Sequence, residues 1–134
     1  MTLSLTSFFH NFGIKTVAKN DKMKRAYVLS DEQLAAITAA GVQPATRRPT
    51  PTIELTVLFD KKRSTVQSGF YNAVRSEDAD RIPEPRMGKE LISSWLQPGD
   101  EVLIGNIGPR LFALKMSDVP ASAAAIALEL HKHS

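Results

Sequence analysis

The alternation of apolar and polar residues predicts several short strands. The segment TIELTVLFD predicts a strand, because four apolar residues alternate with Thr and Glu and would face inward: Ile53, Leu55, Val57 and Phe59. STVQSGFYNAV follows as its partner across a DKKRS turn. RAYVL predicts a further short strand, and EVLIGNIGPRLFALKM predicts a hairpin whose bend is marked by Gly105, Gly108 and Pro109.

The clearest helix signal is SDEQLAAITAAG. Ser30 can cap this helix, and Gln33 stands three residues later, as a capping box requires. Gly41 stands where a left-handed residue would end the helix. The inward stripe is expected at Leu34, Ile37 and Thr38.

Weaker helix signals occur elsewhere in the chain. Residues 1–13 predict a lead-in helix or strand, GKELISSWL a short helix, and residues 120–134 a C-terminal helix. Within ELISSWLQPGD, Trp95 is expected to plug the end of the core rather than to stack on a nucleic-acid base. The proline-punctuated segments VQPATRRPTPT and RSEDADRIPEPRMG are expected to be loops.

Together these elements predict one domain spanning residues 1–134, mainly β with short helices (α+β). Strands at this spacing favour a small open pseudobarrel of about six or seven strands with two or three short helices. The absence of cysteine excludes disulfides and thiolate metal sites and suits a reducing, cytoplasmic setting. No stretch of the sequence is apolar enough to predict a membrane span, and no secretory signal is recognisable.

Charge is unevenly distributed along the chain, although the net charge is only +3. IKTVAKNDKMKRAYVL carries five cations around one acid, Asp21: Lys15, Lys19, Lys22, Lys24 and Arg25. Two smaller basic clusters follow: Arg47 with Arg48, and Lys61 with Lys62 and Arg63. A fourth region is mixed, with Arg75, Arg81 and Arg86 among Glu77, Asp78, Asp80 and Glu84. Lys and Arg contact phosphates, and Arg, Asn and Glu can read base edges in the major groove of DNA.

Two other functions compete with nucleic-acid binding. Asp60, Lys61 and Lys62 at the end of a strand resemble part of a metal-dependent nuclease site, but Glu54 is a poor second carboxylate. The three histidines, two of them near the C-terminus, do not suggest a general base for that triplet. A protein-interaction domain is the other alternative, with the proline-rich segment 44–51 or the alanine-rich tail as its docking element. We expect no cofactor and no bound metal.

Several motifs resemble one family of DNA-binding domains. GIKTVAKNDKMKRAYVLSDEQLAAI resembles the opening of the N-terminal effector domain of EcoRII-type restriction endonucleases, with its Ile-Lys stretch and A-x-N-D loop. ELTVLFD followed by GFYNAVRSEDADRIPEPRMG resembles that family's strand, FYN segment and charged arm. LQPGDEVLIG is similar to the Leu-x-x-Gly-Asp-x-Val turn and strand of the plant B-three transcription-factor domain, which shares the fold.

The resemblance implies a pseudobarrel that grips the major groove of double-stranded DNA with two loop arms. The first would be residues 15–25, here called the N-arm, whose site residues are Lys15, Lys19, Asn20, Asp21, Lys22, Lys24 and Arg25. The second would be residues 71–87, the C-arm, whose site residues are Tyr71, Asn72, Arg75, Arg81, Glu84 and Arg86. It also implies that any nuclease activity lies in a separate domain or subunit, so the chain alone is expected not to cut DNA.

Overall fold

The computed structural model describes residues 5–19, 27–43, 52–73, 84–87 and 95–133. It contains seven strands: β1 (Asn11–Thr16), β2 (Tyr27–Val28), β3 (Thr52–Val57), β4 (Thr65–Ala73), β5 (Glu84–Met87), β6 (Glu101–Ile107) and β7 (Arg110–Lys115). Its helices are α1 (Asp31–Ala39) and α2 (Ala123–Lys132), with short 3₁₀ turns at Leu5–Phe8 and Met116–Asp118. The lead-in therefore contains both a helical turn and the start of a strand.

The strands form one curled, open sheet in the order β1-β6-β7-β3-β4-β5-β2. Every neighbouring pair is antiparallel except β3 and β7, which run parallel through Thr56 opposite Phe112 and Val57 opposite Ala113. The result is a half-barrel whose two edge strands, β1 and β2, follow each other in the chain. The predicted fold class, a small open pseudobarrel with short helices, is confirmed.

Apolar side chains are buried on both sides of β6 and β7. Val102, Ile104, Leu111 and Ala113 belong to the inner cluster, which is the interior of the half-barrel. The alternate residues Leu103, Phe112 and Leu114 belong to an outer cluster with Phe9, Leu58 and Leu130. The 3₁₀ turn Leu5–Phe8 and α2 cover this outer face, since Leu5, Phe8 and Ile126 pack against it. Burial on both faces explains why these two strands read as almost continuous apolar runs.

Helix α1 begins and ends as predicted. The Ser30 hydroxyl accepts from the Gln33 backbone N–H at 3.1 Å, and the Gln33 side chain accepts from the Ser30 N–H at 3.2 Å, which completes the capping box. Gly41 follows the helix with a φ of +93°. Of the predicted inward stripe, Ile37 is buried and Leu34 packs against the inner cluster, whereas the hydroxyl of Thr38 bonds to its own helix; Gln33 and Ala36 are the other buried residues of α1.

Two strand predictions also need correction. Phe59 does not continue the inward row of β3: the strand ends at Val57, and Phe59 has a φ of 64° and packs with the outer cluster. The RSEDADRIPEPRMG segment is not all loop, because its end forms β5 between β4 and β2. Pro85 is tolerated there because β2 extends only to the position opposite Arg86. Most of the predicted VQPATRRPTPT loop, residues 44–51, and most of the predicted GKELISSWL helix, residues 88–94, lie outside the described residues.

A polar network closes the gap between the two edge strands. The Gln33 side chain is fully buried, and its oxygen accepts from the Tyr27 hydroxyl at 2.8 Å as well as from Ser30. Its amide nitrogen donates to Val102 O at 3.0 Å and Gly13 O at 3.4 Å. One amide thus joins β1, β2, α1 and β6, with both donors and both lone pairs used. We call this network the seam.

Close backbone approach at Gly13 makes the seam possible. A Cβ atom at this position would lie 2.5 Å from the Gln33 nitrogen and 2.8 Å from the Glu32 carbonyl carbon. Any larger residue would therefore push α1 away from β1 and separate the Gln33 amide from its partners.

Replacing Gln33 with Met should destabilise the protein strongly. Met is similar to Gln in length and helix propensity, but its side chain cannot replace the hydrogen bonds of the amide. The Tyr27 hydroxyl and the carbonyls of Gly13 and Val102 would lose these bonds, at a cost of about 3 kcal/mol. Urea denaturation followed by circular dichroism measures this change in the free energy of unfolding. The matched control is Gln67→Met on the exposed face of β4, which should change the free energy by less than about 0.5 kcal/mol. Equal stability of the two variants would contradict the role given to the seam.

Candidate nucleic-acid interface

Two backbone hydrogen bonds of Val17 anchor the base of the N-arm, just after the chain leaves β1. The Val17 N–H donates to Asp100 O at 2.8 Å, and the Gly99 N–H donates back to Val17 O at 2.9 Å. These bonds tie the first residues of the arm to the turn of residues 97–100, which the sequence predicted from QPGD. The arm therefore leaves the half-barrel from a fixed backbone position.

The structure places Lys15 next to the seam, between β1 and β2. Its ammonium donates to Val28 O and lies 4.7 Å from the centre of the Tyr27 ring. This side chain bridges β1 to β2, the two edges of the open sheet. Lys15 therefore supports the base of the N-arm, whereas Lys19, four residues further on, is exposed.

The base of the C-arm is a regular antiparallel ladder. Ala73 lies opposite Glu84, Asn72 opposite Pro85, and Tyr71 opposite Arg86. Arg86 also lies opposite Val28 of β2, so its backbone is held from both sides. Its neighbour Met87 is fully buried, and because successive strand residues face opposite sides, the half-buried Arg86 belongs to the outer face.

Most of the predicted contact residues cannot be assigned a position. Seven of them lie outside the described residues: Asn20, Asp21, Lys22, Lys24, Arg25, Arg75 and Arg81. The backbones of Tyr71, Asn72 and Glu84 are described as parts of β4 and β5, while their side chains lie outside the described part. The structure thus brings the bases of the two arms together on neighbouring strands, and the roles of the residues at their tips remain predictions.

The register of β5 gives the spacing between the arms. The N-arm returns to the sheet at Tyr27, opposite Met87, while the C-arm returns at Glu84. These two points are three residues apart along one strand, which is about 10 Å. The arms leave at opposite ends of this short strand.

Asp60, the acid of the nuclease alternative, has a structural role in this chain. One carboxylate oxygen accepts from the backbone N–H groups of Lys62 at 2.7 Å and Arg63 at 3.1 Å, and the other accepts from Trp95 Nε1 at 3.1 Å. Burial alone would raise the pKa of Asp60. The three hydrogen bonds and the nearby Arg63 charge outweigh burial and hold the pKa below its ordinary value.

The environment of Asp60 does not favour a metal site. Within the described ranges, no group of three or more His, Asp or Glu side chains is arranged to hold a metal ion. The carboxylate already accepts three protein N–H groups, and these compete with a cation for its oxygens.

Trp95 is a core residue, as the sequence predicted. Only 6% of its surface is exposed, and its indole belongs to the inner cluster. The Lys115 ammonium lies 5.7 Å from the ring centre and 3.5 Å from the Asp100 carboxylate. Trp95 thus links the Asp60 turn to the turn that anchors the N-arm.

Sequence reasoning missed the second role of Gln33 and the partnership between Asp60 and Trp95. The capping-box pattern identified Gln33, but the same pattern occurs at exposed helix starts. Asp60 accepts from backbone N–H groups two and three residues further along the chain. An Asp at the start of a turn is typical of this arrangement, and the DKKRS segment does contain that signal.

Comparison of the chain with protein-family models, curated proteins and solved structures finds no match. In the part of the chain that the structure describes, neither helix is long and apolar enough to cross a membrane. The function is therefore inferred from the residues and their arrangement.

Replacing Asp60 with Asn should make stability less dependent on pH. The pKa of Asp60 is lowered in the folded state, so its ionised form stabilises the fold above the ordinary carboxyl pKa of about 4. That stabilisation is lost as pH falls through the lower folded-state pKa. Urea denaturation from pH 7 to pH 3 should show the two proteins differing most at neutral pH and converging below about pH 4. A constant difference across this range would contradict the assignment.

Proposed function

We propose that this chain is a sequence-specific binding module for double-stranded DNA, which inserts the N-arm and the C-arm into the major groove. The observation that carries the proposal is the placement of the arm bases. Both arms are built on neighbouring strands, since β5 pairs with β4 on one side and with β2 on the other. Loops held on a rigid scaffold are where binding residues concentrate.

The composition of the arms supports different roles for them. Apart from Lys15, which joins β1 to β2, the N-arm carries four cations and one acid, which suits contacts with phosphates, while Asn20 and Asp21 can face base edges. The C-arm mixes arginines with carboxylates. A carboxylate repels phosphate but can accept from cytosine or brace an arginine, so this mixture suits base reading better than backbone binding.

The spacing of the arms also fits a duplex. Their bases are about 10 Å apart along β5, and the major groove is about 12 Å wide. The separation of the two bases is therefore within the width of one groove, which supports the insertion of both arms into the same groove.

A DNA-binding module of this kind suits a restriction endonuclease. We propose that the chain is a recognition domain, or a relative of the EcoRII-type effector domain, and that cleavage requires a separate nuclease domain or subunit. The hydrogen bonds that occupy Asp60 argue against the competing nuclease function of this chain.

Replacing Lys19 with Ala should weaken binding to all duplexes by a similar factor. Loss of one phosphate contact lowers the slope of log affinity against log salt concentration by about one. The matched control is Arg110→Ala, which removes the same charge from the β6–β7 turn, at the end of the sheet opposite the N-arm base. Fluorescence anisotropy with a labelled duplex measures both slopes. If the slopes of both variants equal that of the parent, the N-arm does not contact phosphates.

Replacing Arg86 with Ala should reduce sequence discrimination. An arginine that reads guanine contributes about 1 to 3 kcal/mol on the preferred sequence and little elsewhere. Affinities for the tightest-binding duplex and for a scrambled duplex of equal length give the comparison, and Arg81→Ala and Asn72→Ala extend it along the C-arm. An equal loss of affinity for both duplexes in all three variants would show that the C-arm makes only an electrostatic contact.

A further inference from the structure

The turn between β3 and β4 presents a basic segment that the two arms do not include. Residues 60–64, here called the basic turn, contain Lys61, Lys62 and Arg63 in succession after Asp60. Lys61 and Lys62 are exposed. Within the described part of the chain, neither of these two ammonium groups takes part in an ion pair.

The geometry of the basic turn is fixed by Asp60. Its carboxylate accepts from the N–H groups of Lys62 and Arg63 and from the Trp95 indole, so the turn is attached to the inner core. All three contacts use the Asp60 carboxylate as acceptor. The three cationic side chains that follow therefore stand on a turn whose backbone is held by hydrogen bonds to that carboxylate.

The sheet register places this turn at the same end of the half-barrel as the N-arm. Lys15 lies opposite Val102, Val102 opposite Lys115, and the parallel pairing of Ala113 with Val57 puts residue 59 level with Lys115. The basic turn begins immediately beyond that level. The N-arm leaves the sheet at the same end, directly after Thr16.

The distance between the N-arm and the basic turn matches a feature of duplex DNA. From β1 through β6 and β7 to β3 there are three strand spacings, or about 14 Å measured along the sheet. The major groove is about 12 Å wide between its two phosphate backbones. The separation is larger than half of this width, so with the N-arm inside the groove the basic turn would lie beyond the groove's edge, next to a phosphate backbone.

A continuous set of contacts joins these two elements. Val17 bonds to Asp100, Asp100 pairs with Lys115, Lys115 lies over Trp95, and Trp95 bonds to Asp60. The relative position of the arm base and the basic turn is thus set by packed and hydrogen-bonded groups.

We propose that the basic turn is a third DNA contact, which binds the sugar-phosphate backbone bordering the groove that the N-arm enters. This inference rests on the proposed DNA-binding function. Lys62 is the principal contact. Lys61 contributes less, because it lines an open cleft together with the carboxylates of Asp118 and Glu129, which repel phosphate.

The test measures the salt dependence of DNA binding by the full chain carrying Lys62→Ala. A scrambled duplex is used, because a backbone contact does not depend on sequence. The slope of log affinity against log salt should fall by about one, so that raising salt from about 50 to 200 mM costs roughly three- to four-fold less affinity than in the parent. Lys62→Glu should weaken binding further. The control Arg110→Ala removes an equal charge from the β6–β7 turn, at the end of the sheet opposite the basic turn, and should leave the slope unchanged.

The outcomes separate this inference from the proposed function. If the parent binds duplex DNA and Lys19→Ala lowers the slope but Lys62→Ala does not, the basic turn is not a contact and the DNA-binding proposal stands. If the parent shows no salt-dependent binding to duplex DNA, both proposals fail. A slope lowered equally by Lys62→Ala and Arg110→Ala would also overturn the inference, because the effect would then be one of overall charge.

Discussion

The buried amide of Gln33 is the contact on which the arrangement of the half-barrel depends. An open sheet leaves unpaired backbone groups along its two edges, and here those edges are β1 and β2. Gln33 bonds to Gly13 on β1, to the Tyr27 hydroxyl on β2 and to Val102 on β6. Lys15 adds a second bridge to Val28. Since the N-arm connects these same two strands, the contacts that close the sheet also fix the base of the arm.

The central strands explain how so short a chain fixes the bases of its arms. Because β6 and β7 are covered on both faces, the sheet is a middle layer between the inner cluster and the outer cluster. The Glu129 carboxylate of α2 accepts from the Phe59 N–H at 2.8 Å and supports its positive φ. A residue of the outer layer therefore holds the start of the β3–β4 turn by a hydrogen bond. This turn, the 97–100 turn and the N-arm base share one packed end of the half-barrel.

Local patterns were sufficient for much of the fold. The capped helix α1, the β3–β4 and β6–β7 hairpins and the core position of Trp95 follow from periodicity, turn residues and capping. Contacts between distant segments were not predictable in this way. β5 contains a proline and two charged residues and becomes a strand only because β4 and β2 provide partners. Lys15 belongs to a basic cluster in the sequence, but the fold places it across the seam.

The central claim is that the side of the half-barrel that carries the arms binds duplex DNA. Backbone amide chemical shifts of the isotope-labelled chain, recorded while duplex DNA is added, test this most directly. The account predicts changes in residues 15–19, 61–63, 71–73 and 84–87, with little change in the 3₁₀ turn Leu5–Phe8. Changes concentrated in that 3₁₀ turn, or no changes at saturating DNA, would contradict it.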